Sequence, residues 1–427
     1  MNKSIAVNSS KLNWIIAFLI GFLSANNIIY VFRVRNTTIK AITVVALLGL
    51  INVIISRGGK IKSPSNMIPS SLRYCFICIL VSFVPVLFFN HDIIYQWMVG
   101  IVAMMLMASV VALVLLLYED YKDAIYRGIL VGFVVNAVLI LWGLYNHSKG
   151  VAFTLADYFP YELIAPVYIR GSYRGSGLFR EAGHLMRYAT VFGIPLIYYY
   201  MLDRRKRIIS LISIVIILAY TRSSTVVALG VEVILLILIH SGKDAKSFWR
   251  AVAIIIGIII ASIVVVPIRN FITSEIFSGF VDFTTYREQT TRLTGMRSAL
   301  RVAEQYPVIG SGWNTLSMLF QKNGYNIFIS NKYGGGEFVS AAFSEGLTLL
   351  AEIGIFSFFY YWFVLKSAVA LIRFKDNLSV AMGVSLIGYF ILFFITDFSF
   401  NLNGCVAVLI GLTAGRLTEK KRESAQG

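Results

Sequence analysis

Arg287, Arg292, Arg297 and Arg301 stand within residues 269–343, a polar stretch that interrupts a chain made otherwise of apolar runs. Arg297 and Arg301 are four apart and share a helical face, with Arg292 a turn and a half earlier. Guanidinium groups grip phosphate oxygens in a fork and stay charged at any physiological pH, so two or three converging arginines suit a pyrophosphate-sized anion without a metal. The plainer reading pairs them with Glu288, Glu304 or lipid headgroups. A second cluster, Arg170, Arg174, Arg180, Glu181 and His184, lies in IRGSYRGSGLFREAGHL. Its glycines permit close backbone approach. Glu181 and His184, three apart, present a carboxylate and an imidazole from one helical face, the groups that general acid–base chemistry needs.

Arg222 is the sharpest single position. Counting from the basic anchor at Arg207, about fourteen residues, roughly 21 Å of helix, precede it, against a hydrocarbon core near 30 Å. A guanidinium below the membrane surface is costly and is normally aimed at a protein cavity or partner; snorkelling to the headgroups is the alternative. Cys75 and Cys78 form a CxxC in an apolar span, where helix packing explains them. Cys405 reads the same way. The four histidines show no metal-ligand spacing, and no DxD-like acidic pair falls in an outer loop, so the expectation is chemistry without a metal or other cofactor.

The elements that must position these residues are membrane helices. Of the 427 residues, 58% are hydrophobic and 14% charged, and runs such as 251–267 are apolar on every side, which excludes a soluble domain and a strand barrel. A net charge of +17 suggests nucleic acid until the charges are placed. They cluster in short connections (57–73, 203–207, 243–250, 366–375 and 416–422), the positive-inside pattern, which argues against a nucleic-acid partner and puts both termini in the cytoplasm. Helices are expected near 12–32, 38–56, 72–90, 95–118, 125–145, 184–202, 208–221, 224–240, 251–268, 344–366, 378–396 and 401–416. The chain reads as a single integral membrane domain over 1–427, with no cleavable signal peptide evident. Arg33 and Arg35 then fall on the outer side, against the rule, which suggests that the first two helices are misplaced or that these arginines touch lipid phosphates. Two long outer loops result, 146–183 and 269–343, the latter reading as short surface helices joined by flexible turns and ending at Gly334–Gly336.

The chain resembles the O-antigen polymerase and ligase group, the Wzy-type proteins. The resemblance rests on RGSGLFREAGHL at 174–185, TRSS at 221–224, MRSALRVAEQYPVIGSGWN at 296–314 and FSEGLTLLAEIGIFSFFYYWF at 343–363, which follow the family's order. Arg301 precedes Gly312 with ten residues between, similar to the R-x10-G spacing of such polymerases. Phe343 stands where the family's ligases and many of its polymerases have His, and 269–343 holds no histidine at all, which puts a ligase-style His mechanism in doubt and favours polymerase over ligase.

The resemblance implies an all-α polytopic membrane protein of about 12 transmembrane helices, GT-C-like, with its large extracytoplasmic loop between helices 9 and 10. It implies a bacterial cytoplasmic (inner) membrane enzyme that polymerises polyprenyl-diphosphate-linked oligosaccharide repeat units by inverting transfer, with donor and acceptor lipids and a chain-length regulator as partners. The expected diphosphate ligands are Arg222, Arg297, Arg301, Arg292, Arg180 and Arg174. The expected general bases, in order, are Glu181, Glu345 and His184. Ligase-type transfer to another acceptor is the alternative. A lipid-linked oligosaccharide flippase is a further one, against which the long loop argues, since transporters more often show pseudo-symmetric halves.

Overall fold

The computed structural model describes residues 3–26, 29–34, 37–56, 70–149, 175–179, 182–221, 223, 225–241, 292–325, 327–330, 336–339, 342, 344–396 and 404–426. The expected helix at 251–268, most of the loop 146–183 and the first part of the loop 269–343 lie outside these residues.

Helix α1 (Lys3–Leu23) is joined to α2 (Ala41–Ser56) by an antiparallel hairpin of β1 (Tyr30–Val34) and β2 (Thr37–Lys40). The expectation of a first helix over 12–32 is corrected here. The Ser24 hydroxyl donates to the Gly21 carbonyl at 2.6 Å and the Asn26 amide to that of Leu23 at 3.0 Å, satisfying the last carbonyls of α1 from the side. The β-branched and aromatic residues beyond then pair as strands, which places Arg33 opposite Thr38 in a connection and not in a helix.

Helices α3 (Ser70–Val81) and α4 (Phe83–Phe89) follow, and then α5 (Ile94–Ser148). At 55 residues α5 would reach roughly 80 Å if straight, far beyond a bilayer. It reverses at Tyr121, whose backbone is non-helical (φ −130°, ψ 18°). The Tyr121 hydroxyl meets Ser10 at 3.3 Å, and from there both limbs run along α1, with Leu113 near Ile16 and Gly49 on one limb, and Gly128 and Gly132 against Phe18 and Ala25 on the other. The two expected helices, 95–118 and 125–145, are thus the limbs of one hairpin.

Helices α6 (Ala182–Tyr199), α7 (Arg204–Thr221) and α8 (Val226–Ser241) match three expected spans closely. After them come the short helices α9 (Arg292–Gln305) and α10 (Leu316–Lys322) and a second small hairpin, β3 (Ile327–Ser330) with β4 (Gly336–Val339). The chain closes with α11 (Glu345–Ile353), α12 (Phe358–Arg373), α13 (Asn377–Ile395) and α14 (Gly404–Gln426). The expected continuous helix 344–366 is broken at Gly354, which has φ +63°. Among the described residues the two strand pairs are the departures from an all-helical chain.

Four stretches among the described residues are long and apolar enough to cross a membrane, Ser70–Phe89, His91–Ser148, Glu345–Arg373 and Asn377–Ile395, with shorter apolar helices at Ser10–Leu23, Ala41–Ser56 and Val226–His240. Large apolar side chains such as Leu48, Ile55, Phe88, Met105 and Trp142 point outward, as a lipid-facing surface requires. The protein is a multi-pass helical membrane protein. Its centre is formed by α6 and the first half of α14, which are buried along most of their length. Gly404, Gly411 and Gly415 let α14 lie directly on Ile42, Val114 and Tyr118.

The two ends of the bundle differ. One end gathers the basic segments: Arg204–Arg207 at the start of α7, Arg373 at the end of α12, and the last turns of α14. There Arg416 is 8% exposed and donates to Asp376 at 2.6 Å, Glu419 at 2.5 Å and Ser379 at 3.0 Å, while Lys122 pairs with Glu419 and Arg422 with Glu119. The opposite end carries the segments singled out for chemistry.

Candidate active site

The four sequence motifs meet in two pairs at this end. The backbone N–H of Gly175 donates to the Tyr220 carbonyl at 2.9 Å, and Gly183, in the first turn of α6, faces the Ser223 hydroxyl. The Asn136 side chain accepts the Leu178 N–H at 2.7 Å and donates to the Ala25 carbonyl at 3.0 Å, tying the turn to α5 and α1. Gly177, at φ +56°, lies so close to Asn136 that no side chain fits. The described residues of RGSGLFREAGHL and TRSS therefore form one patch around the break between α7 and α8. In that break the Ser223 and Thr225 hydroxyls bond each other at 2.8 Å.

The second assembly joins IGSGWN to the LAEIG end of α11. Ser311 N–H donates to the Ala351 carbonyl and Gly312 N–H to that of Glu352, both at 2.9 Å, and Ile355 N–H to the Pro307 carbonyl at 3.0 Å. The Glu352 carboxylate accepts Leu316 N–H at 3.2 Å, with the N–H groups of Asn314 and Thr315 also directed at it. The close approach needs Gly310 (φ +71°) against the Glu352–Ile353 backbone and Gly354 against Val308. From the other side Ser82 holds the loop. Its hydroxyl accepts Trp313 N–H at 3.0 Å and the Trp97 indole at 3.2 Å, while Asn314 donates to the Gln96 carbonyl at 3.0 Å.

The expected site residues fall into three groups. Arg174, Arg180, Glu181 and Arg222 lie outside the described residues. Arg292 opens α9, and Arg297 and Arg301 are both exposed on it, sharing a face as their spacing predicts. Ala299 and Val302 form the opposite, buried face. The Arg301 guanidinium lies 6.0 Å from the Tyr325 ring centroid. His184 is half-buried in the first turn of α6. Glu345 is 8% exposed at the start of α11, in a narrow cleft with Trp313, Tyr360 and Phe393, and its N–H donates to the Thr396 carbonyl at 3.0 Å. The structure brings Glu345 to Trp313; Arg297 and Arg301 do not line that cleft.

Four buried or half-buried ionisable groups escape the sequence reading. Glu352 sits inside a quoted motif, and its apolar flanks and nearby Gly354 were the available signal. Glu232 is the only charged residue of α8 and is 0% exposed against Gly388. Arg187 follows His184 by three residues and is 7% exposed. Lys40 is half-buried where β2 enters α2, and burial pulls its ammonium down to about 8.

No curated protein matches the chain. Residues 208–362, from α7 to the first turns of α12, match the family described as O-Antigen ligase. That segment, about a third of the chain, holds both the α7–α8 break and the joined IGSGWN and LAEIG loops, so the part of this membrane protein that is similar to the O-antigen ligase family is the part that carries both assemblies.

Proposed function

We propose that the protein polymerises polyprenyl-diphosphate-linked oligosaccharide repeat units at the outer face of a bacterial cytoplasmic membrane, its basic end in the cytoplasm. The observation that carries the reading is the joining of RGSGLFREAGHL to the α7–α8 break, within a chain whose 208–362 segment matches a glycan-transferring family. In this reading Arg222 stands in that break, where the leaving diphosphate gains negative charge, and Arg297 and Arg301 approach from the open face of α9.

The step is a single displacement. An acceptor hydroxyl of a new repeat unit attacks the anomeric carbon of the growing glycan, and a C–O bond forms as the bond to the diphosphate breaks. The hydroxyl proton passes to a base, and polyprenyl diphosphate departs with the bonding pair, so the anomeric centre inverts. Glu181, the residue before α6 in sequence, is the base in this account, with His184 three residues on as the next candidate on that segment. Glu345 ranks behind it, because an acceptor sugar reaches that carboxylate only if the aromatic cleft around it opens. The absence of histidine from 269–343 favours polymerase over ligase.

The test is product analysis with purified protein and a synthetic lipid-linked repeat unit. One polyprenyl diphosphate released per new glycosidic bond, an inverted linkage by NMR, and loss of both in Arg222→Ala and Glu181→Gln are expected. A retained configuration, or full turnover in Arg222→Ala, contradicts the assignment.

A further inference from the structure

The turn between α6 and α7, at the basic end of the bundle, spends Asp203, Lys206 and Arg207 on holding its own shape. The Asp203 carboxylate accepts the Lys206 N–H at 3.1 Å and pairs with the Lys206 ammonium at 3.0 Å, and the Arg207 guanidinium donates to the Met201 carbonyl at 3.2 Å. Arg204 and Arg205 take no part in this and are exposed. One turn further along α7 the same outward surface carries exposed Ile208 and Ile209, then Ile212 and Val215, the lipid-facing side of the helix. The two guanidinium groups therefore stand where that apolar surface stops, at the level of the headgroups. On their other side Leu202, at the tip of the turn, is fully exposed.

A second turn adjoins this one, for the Asn377 side-chain amide donates to the Met201 sulfur at 3.4 Å. It carries exposed Arg373, at the end of α12, and exposed Lys375. Asp376, its acid, is engaged with Arg416 at 2.6 Å and Lys420 at 3.4 Å. Lys366 lies seven residues before Arg373 on nearly the same face of α12, roughly 10 Å deeper. It is exposed between Leu365 and Val369, inside the stretch Glu345–Arg373 that is long and apolar enough to cross a membrane. A lysine there faces lipid, and its stem lets the ammonium snorkel to the headgroup layer beside Arg373.

Among the described residues none of these five cations, Arg204, Arg205, Lys366, Arg373 and Lys375, has a carboxylate within ion-pair distance. An anionic phospholipid supplies what both turns lack: phosphate oxygens for the guanidinium forks, and glycerol and acyl chains for the apolar residues on either side. A zwitterionic lipid brings its own ammonium and offers less. An acidic protein segment reaches the turns from solution but not Lys366, which is turned to the bilayer. We propose that the α6–α7 and α12–α13 turns form a docking surface for anionic phospholipid in the leaflet at the basic end of the bundle. The lipid ties the foot of α7 to the foot of α12, the helices that lead to the α7–α8 break and to the break at Gly354. The proposal rests on the membrane-spanning fold and not on the reaction assigned to the protein.

The experiment is native mass spectrometry of the full-length protein in detergent, titrated with phosphatidylglycerol or with phosphatidylcholine of the same chain length. Wild type is expected to bind phosphatidylglycerol about tenfold or more tightly than phosphatidylcholine, and the preference to shrink as the ammonium acetate concentration rises. The double variant Arg204→Gln, Arg205→Gln is expected to lose about tenfold in phosphatidylglycerol affinity and Lys366→Gln about fivefold, with phosphatidylcholine unchanged in both. Arg422→Gln, at the same end but in an ion pair with Glu119, is the control and is expected to bind as wild type does. Equal affinity of wild type for the two lipids, or a preference that salt does not weaken, overturns the proposal without recourse to any variant. An equal loss in Arg422→Gln also overturns it, by reducing the effect to net charge. A loss in the arginine double variant with none in Lys366→Gln assigns the turn to an acidic partner in solution, and displacement of the lipid by millimolar inorganic phosphate assigns it to a free anion; either result contradicts a lipid dock.

Discussion

The Glu352 carboxylate and the Leu316 N–H, thirty-six residues apart, meet at 3.2 Å. The same glutamate receives Gly312 N–H on its main-chain oxygen. Its side chain does for the start of α10 what a capping residue does for a helix, but from a different helix. Glu352→Ala leaves buried N–H groups without an acceptor and is expected to cost about 2 kcal/mol or more. Glu352→Gln keeps one acceptor oxygen and is expected to lose clearly less. Thermal melts in detergent compare the two; equal losses would show that the carboxylate's contacts are incidental.

The glycines of these loops make a sharper steric test. A methyl group at Gly354 would lie 2.5 Å from the Val308 carbonyl oxygen at a backbone φ of +63°, so Gly354→Ala combines strain with a clash. Its melting temperature is expected to drop by several degrees and its activity to fall with it. Gly230, inside α8 with nothing within 4 Å of an added methyl, is the control. Gly230→Ala is expected to be neutral or stabilising by under about 1 kcal/mol. Similar melts for the two variants would refute the packing described.

Glu232 fits the notch left by Gly388, where a methyl group would come within 1.7 Å of its carboxyl oxygen. Among the described residues neither oxygen has a hydrogen bond within 3.5 Å, the Ser385 hydroxyl being directed at the carboxyl from beyond that distance. Gly388→Ala is expected to destabilise by about 1–3 kcal/mol through overpacking, and Glu232→Ala to recover most of that loss in the double variant. A melt of the four proteins gives the coupling; additive losses would mean that the two side chains do not compete for the same space.

Asp376 caps α13 at the basic end. Burial alone would raise its carboxyl pKa, but hydrogen bonds from Ser379 and the Arg416 guanidinium outweigh it and hold the group down at about 2. A depressed folded value contributes stability above the unfolded value, which is lost as pH falls through the folded one. The melting temperature is therefore expected to stay level above about pH 5 and fall between roughly pH 4 and pH 2. Asp376→Asn is expected to lower the plateau and flatten that fall. An unchanged slope in the variant would assign the acid sensitivity to other groups.

The helices were legible because a lipid-spanning segment must satisfy its own backbone and show apolar side chains, so runs such as 378–396 announce themselves. The reversal near Tyr121 was legible from the charged residues between two such runs. The break at Gly354 was not, because the stretch is apolar on both sides and the reason for the break is the arrival of Val308 and Gly310 from far away. The pairing on the α9 face followed from spacing alone. Arg187 and Lys40 were missed for the opposite reason. Each is a single cation in an unremarkable local sequence, and only packing against elements distant in the chain takes it out of the open.

The central claim is that one lipid-linked repeat unit serves as both donor and acceptor. Purified protein in nanodiscs, supplied with the polyprenyl-diphosphate repeat unit and no other acceptor, is the direct test, read as glycan length on a gel for wild type, Arg222→Ala and Arg301→Ala. A ladder of products spaced by one repeat unit, absent in Arg222→Ala and reduced in Arg301→Ala while all three melt alike, is the predicted result. No elongation until a different acceptor lipid is added, followed by a single transfer, would contradict polymerisation and assign the protein as a ligase.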